Sequence, residues 1–62
     1  MKTTYKKTTN FLTAEEVAVI LGVSLSTAYR IIKRLNEELK AQGFITVAGK
    51  ISKRYFEQKV AL

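Results

Sequence analysis

Apolar residues return with helical spacing in two adjacent stretches of this chain. The first holds Val17, Ala18, Ile20 and Leu21. It predicts a helix over 13–22 with those residues as its buried stripe. Thr13 stands where an N-cap belongs, and Glu16 follows three residues on, the spacing of a capping box. Leu12 and Val17 occupy the flanking staple positions. Glu15 and Glu16 complement the helix dipole, and Gly22 ends the helix by permitting a left-handed backbone. The second stretch holds Ala28, Ile31, Ile32, Leu35 and Leu39, all on one side of a helical wheel. It predicts a helix over 25–42, opened by Ser24 as N-cap and unbroken until Gly43. Val23 and Ser24 are left as a short turn between the two.

Beyond Gly43 the pattern changes. Phe44-Ile45-Thr46-Val47 is rich in strand formers, Ala48-Gly49 reads as a turn, and Lys50-Ile51 as a returning strand. Together they predict a hairpin over 44–52. Two strands alone are marginal, so the hairpin has to pack on the helices. Ser52 then reads as an N-cap, and Tyr55, Phe56 and Val60 recur with helical spacing. A third helix over 53–61 follows. Tyr55 and Phe56 are expected in the core. Residues 1–10 are Thr- and Lys-rich and aperiodic. They read as a basic arm, open to a short strand or to disorder, ahead of a single domain over 11–62. The fold class is mainly α with a small β-hairpin.

With 62 residues there is room for one domain and a small core. A content of 47% apolar and 26% charged residues is ordinary for a globular chain. Cys and His are both absent. No disulfide and no thiolate or imidazole metal site is available, and the five acids lack Ca²⁺-loop spacing. No cofactor or metal is expected. The commonest general base and the best protein nucleophile are missing too, so an enzyme is the weakest reading. No apolar run approaches the ~20 residues of a membrane helix, and the N-terminus lacks the apolar core of a secretory signal. A cytoplasmic location is the expectation.

Net charge is +6. Its position says more than its size. No basic residue lies between Thr8 and Tyr29. All eleven fall in the arm (Lys2, Lys6, Lys7), the second helix (Arg30, Lys33, Arg34, Lys40) and the last third (Lys50, Lys53, Arg54, Lys59). Such segregation favours one basic face and a nucleic-acid partner. With the apolar stripe of the second helix buried, Ser26, Arg30, Lys33 and Glu37 centre on the opposite side, flanked by Thr27 and Tyr29. In a DNA-binding helix-turn-helix the second helix enters the major groove, and its first turns meet the base edges. Arg30 suits bidentate bonding to guanine O6 and N7. Ser24 and Thr27 suit phosphate contacts beside free backbone N–H groups. Lys33 and Arg34 reach phosphates farther along, whereas Glu37 and Glu38 would repel them. Lys50 at the hairpin turn is a further candidate. The plainer readings make Arg30 and Lys33 a solvated helix face, Tyr29 an edge of the core, and Lys50 a soluble hairpin tip.

At Gly22-Val23-Ser24-x-x-Thr27-x-x-Arg30-Ile31 the chain resembles the helix-turn-helix of lac-type repressors. That resemblance implicates Leu25, Ser26, Thr27 and Arg30 in DNA contact. A wider likeness spans residues 11–60. Its motifs are Leu12-Thr13-Ala14-Glu15-Glu16-Val17-Ala18, Leu21-Gly22-Val23-Ser24-x-Ser26-Thr27-x-Tyr29-Arg30 and Gly49-Lys50-Ile51-Ser52-x-x-Tyr55-Phe56-Glu57. These are similar to the small excisionase-type (MerR-like) winged helix-turn-helix DNA-binding proteins of bacterial phages and integrative elements. The likeness implies a wing placed in the minor groove, and DNA bending beside an integrase or regulation of element genes. It also implies cooperative binding along adjacent sites. Two departures stand out. The second helix is about a turn or more longer than in the shortest members. The wing tip Ala48-Gly49-Lys50 carries one basic residue where relatives often carry several Arg, which would lower the salt dependence of binding.

The leading expectation is therefore a sequence-specific double-stranded DNA-binding protein of a mobile genetic element. It would act as an excisionase-like architectural factor or transcriptional regulator, reading the major groove with helix 25–42. The expected partners are DNA, a second copy as homodimer or cooperative tandem assembly, and an integrase or other recombinase. The alternative is a protein-interaction module that docks a recombinase or a replication or regulatory partner through apolar surface at Leu25, Leu39 and Val60-Ala61-Leu62. RNA binding lacks an aromatic sheet motif or a Gly-rich clamp.

Overall fold

Short capping side chains decide where each helix starts. The computed structural model describes residues 10–60. Within them the elements run β1 (Phe11–Thr13), α1 (Ala14–Leu21), α2 (Leu25–Ala41), β2 (Lys50–Ser52) and α3 (Lys53–Lys59). Thr13 caps α1 with the full reciprocal box. The Glu16 backbone N–H donates to Thr13 Oγ1 at 3.2 Å, and the Thr13 N–H donates to Glu16 Oε1 at 2.8 Å. Gly22 closes the same helix at φ 68°, and the Val23 N–H returns to the Ala18 carbonyl at 3.0 Å. Ser24 caps α2 through the Thr27 N–H, and Ser52 caps α3 through the Tyr55 N–H. The predicted helix limits hold to within a residue or two. The exceptions are at the end of α3, where Val60 is already extended and residues 61–62 lie outside the described part. Of the arm expected over residues 1–10, residues 1–9 also lie outside it.

The strand pairing departs from the expectation. Residues 44–47 form no strand. Lys50–Ser52 pairs instead with Phe11–Thr13, antiparallel, with Leu12 opposite Ile51. The hairpin over 44–52 is thus corrected to a loop over 44–49 followed by a strand whose partner precedes α1. Two physical reasons account for this. The turn from Val47 to Lys50 has positive φ at Gly49 (79°) and at no non-glycine residue, the pattern of a type II turn rather than the primed turns that match hairpin twist. The Leu12–Ile51 pairing also sends both side chains inward, where they are buried. Asn10 extends the link, its carbonyl accepting from the Lys53 N–H at 2.8 Å.

The core joins every element. Leu12, Ala14, Val17, Ala28, Ile32, Leu35, Leu39, Ile51 and Phe56 are buried together. The stripe read for α2 is therefore correct, with Ile31 half-buried at its edge. In α1 the stripe is rotated. Ala14 is buried, whereas Ile20, expected inside, is 44% exposed beside the exposed Val19. A helix of eight residues touching α2 on one side buries a narrower stripe than the sequence offers. Leu39 offers no surface to a partner, contrary to the alternative reading; it is buried, because it completes the α2 stripe. The result is a helix-turn-helix, α1 and α2, with the 44–49 loop and the strand pair as its wing.

Candidate nucleic-acid interface

Burial of one side of α2 leaves the other to solvent. Ser26, Tyr29, Arg30, Lys33, Arg34 and Glu37 are all exposed. Leu25 is 44% exposed and Tyr29 48%. With 17 residues α2 is about 25 Å long, so Ser26 and Arg30 mark its first turns and Lys33 the middle. The residues named from the sequence thus share one continuous surface on α2, with Thr27 half-buried at its margin. Lys50 is exposed too, but it stands at the start of β2, beyond the loop.

The hydroxyls at the head of α2 are already linked. Ser24 Oγ accepts from the Thr27 N–H at 3.2 Å and donates to Thr27 Oγ1 at 3.0 Å, with Ser26 Oγ 3.3 Å away. Because Ser24 spends its hydrogen on Thr27, the Thr27 hydroxyl keeps its own hydrogen for an outside acceptor. The backbone N–H groups of the first turn and the positive end of the helix dipole lie beside it, a setting that favours an anion.

Tyr29 is not a core residue. Its ring lies beside the wing turn, where a Cβ built on Gly49 would stand 3.5 Å from Tyr29 Cε1. A cleft separates α2 from the loop and is lined by Tyr29, Lys33, Glu37, Lys40, Thr46 and Gly49, among others. Across it reaches Asn36, the one buried polar residue described, 8% exposed. Its Nδ2 donates to the carbonyls of Val47 at 3.1 Å and Lys50 at 2.9 Å. Sequence reasoning missed Asn36. The available signal was an amide side chain next to Leu35 at the edge of an apolar stripe, a position that demands a hydrogen-bond partner when buried.

The far flank of α2 is occupied by structure. Tyr55 Oη donates to Glu38 Oε1 at 2.7 Å, and Lys59 Nζ lies 3.5 Å from the same oxygen and 5.6 Å from the Tyr55 ring centre. The Tyr55 hydrogen bond holds the Glu38 carboxyl below its ordinary value of 4.5, helped by the charges of Lys59 and Arg34 against the opposing effect of burial. The same hydrogen bond raises Tyr55 above its ordinary 10.0, with burial and the Glu38 charge acting in the same sense. Glu38 thus serves to fix α3 rather than to face a phosphate. Arg34 stands one turn from Arg30 and one turn from Glu38. Among the described residues Lys59–Glu38 is the sole ion pair, so Arg30, Lys33 and Lys50 form none there.

A family profile described as a helix-turn-helix domain matches residues 11–59, the span of all five elements. The chain is also 42% identical over 48 residues to the "ICEBs1 excisionase" of Bacillus subtilis (strain 168), covering 77% of this chain and 75% of that one. No solved structure gives a significant match. With its caps, its turn at Gly22 and its wing all inside the matched span, this chain belongs to the helix-turn-helix domain family and is one of its excisionase-type members.

Proposed function

We propose that this protein is a sequence-specific double-stranded DNA-binding factor of a mobile genetic element, an excisionase-like architectural or regulatory protein. One observation carries the reading. Ser26, Tyr29 and Arg30 stand exposed on the first turns of a capped 17-residue helix that follows directly on the turn at Gly22. The likeness to an excisionase supports the biological role. In this reading α2 lies in the major groove, Arg30 reads guanine, and Thr27 with the adjacent N–H groups holds a phosphate. Lys33 and Arg34 neutralise phosphates farther along, Ser24 orders the helix end, and Leu25 and Ser26 meet the groove floor. Lys50 holds a phosphate on the wing side. No catalytic role is assigned.

A single module of this size offers roughly 600–1,000 Å² to DNA, a limited area for tight binding. Useful affinity therefore calls for a second copy, a tandem array or a recombinase bound alongside. Phe44 (59% exposed) and Ile45 (94% exposed) give such a neighbour apolar surface.

Selection of bound sites from a random duplex pool, with the winners titrated against salt, tests the reading. An enriched motif with a steep salt slope is the expected result. Direct repeats among the winners would indicate tandem binding, and inverted repeats a two-fold dimer. Absence of any enriched motif would overturn the proposed function.

A further inference from the structure

Within the wing, β2 is held by its pairing with β1, but the 44–49 loop that leads into it has no strand partner, so something else must set that loop against α2. Its ends are tied by backbone bonds, Phe44 N–H to the Leu39 carbonyl at 3.0 Å and Lys50 N–H to the Val47 carbonyl at 3.1 Å. Those bonds close the loop but do not set its angle to α2. Among the described residues, Asn36 is the α2 side chain that hydrogen-bonds to it. Both hydrogens of its amide are used, one on each side of the Val47–Lys50 turn, so the turn is held at two points rather than one. The amide is buried, where a hydrogen bond is stronger than in water and a missing partner is costly. The Tyr29 ring beside Gly49 supports the same turn one to two helical turns nearer the base-reading end.

We propose that Asn36 is a positioning residue for DNA binding: its amide fixes the wing turn against the recognition helix, so that Lys50 reaches DNA only while that clamp is intact. This inference rests on the DNA-binding reading and adds to it the residue that couples wing to helix. Asn36 itself touches no DNA.

The test is a double-mutant cycle between Asn36 and Lys50, run on the full chain with its selected DNA site over a range of salt. Wild type, K50A, N36L and the N36L/K50A pair are compared, with N36S as a milder variant and helical circular dichroism recorded for each. If Lys50 holds one phosphate, K50A flattens the log–log salt slope of the wild type by about 0.9. In the N36L background the expected further change is none, because the clamp that places Lys50 is already gone. N36S is expected to lose part of the Lys50 contribution. Additive slopes, with Lys50 contributing equally in both backgrounds, would overturn the inference. So would a K50A protein that matches wild type, or loss of helical signal in both N36L and N36S, which would make Asn36 a fold residue only. In each of those cases a wild type that binds a selected site leaves the DNA-binding reading standing. A wild type with no selected site removes both.

Discussion

Gly22 sits at φ 68°, and a Cβ placed on it would meet nothing within 4 Å. Any cost of replacing it is therefore conformational rather than steric. A left-handed backbone costs an ordinary L-residue roughly 1–2 kcal/mol. Gly22→Ala is expected to lower unfolding free energy by about that much, and Gly22→Val by more, in a denaturant titration. Asn at this position should cost less than Ala, because it tolerates the left-handed region. Arg30 differs in kind: it is exposed and lies on no buried face, so its loss should leave stability within about 0.5 kcal/mol. Its expected effect is on recognition. Arg30→Ala should weaken binding to the selected site by about 1–3 kcal/mol and relax the preference at one base pair, as read by competition between variant duplexes. Unchanged discrimination would remove Arg30 from base readout.

Among the elements, the anchoring of α3 responds to pH. Phe56 buries its ring in the core, and Tyr55 and Lys59 both engage Glu38 on α2. Glu38 has a folded pKa depressed from 4.5, so the stability it lends is present above that value and is lost as acid protonates it. Tyr55 has a folded pKa raised from 10.0, so its share is present below that value and is lost as pH rises past it. The α3 anchor is accordingly complete between these limits and weakens on both sides. Tyr55→Phe removes the donor, returns the Glu38 carboxyl toward its ordinary value and abolishes the alkaline limb. Thermal unfolding of wild type and variant from pH 3 to 11 checks this, and a variant with the same two limbs as wild type would contradict it.

At the scale of the whole molecule, the margin is thin. A domain of 62 residues has a total stability of roughly 3–9 kcal/mol, at about 0.05–0.15 kcal/mol per residue. Phe56 is fully buried and among the largest side chains in the core, touching the cluster that joins all five elements. Phe56→Ala is expected to cost ~3–5 kcal/mol, comparable with the total, and to leave the chain largely unfolded at 25 °C by circular dichroism. DNA present in excess should restore helix to such a variant by mass action. Charge is also organised at this scale. The described part of the chain up to Tyr29 carries Glu15 and Glu16 and no basic residue, while α2, β2 and α3 carry its basic residues. Attraction for a polyanion is thus concentrated in the part of the chain from Arg30 onward.

The local chemistry of the chain is legible in its residues alone. Thr13-x-x-Glu16, Gly22, Ser24 and Ser52 set the helix limits through interactions spanning a few residues, and the α2 stripe sets which side faces inward. The surface of Ser26, Arg30 and Lys33 follows from that stripe, and the likeness to excisionase-type proteins follows from the same motifs. Tertiary structure decided the rest. Strand propensity in Phe44-Ile45-Thr46-Val47 gives no hint that Lys50–Ser52 pairs across the domain with Phe11–Thr13, since a partner nearly forty positions away leaves no mark in local sequence. Asn36 gains its two carbonyl partners, and Glu38 its Tyr55, only when distant segments meet. Periodicity says which side of a helix is buried. It does not say what arrives there, because that depends on how the whole chain closes around its small core.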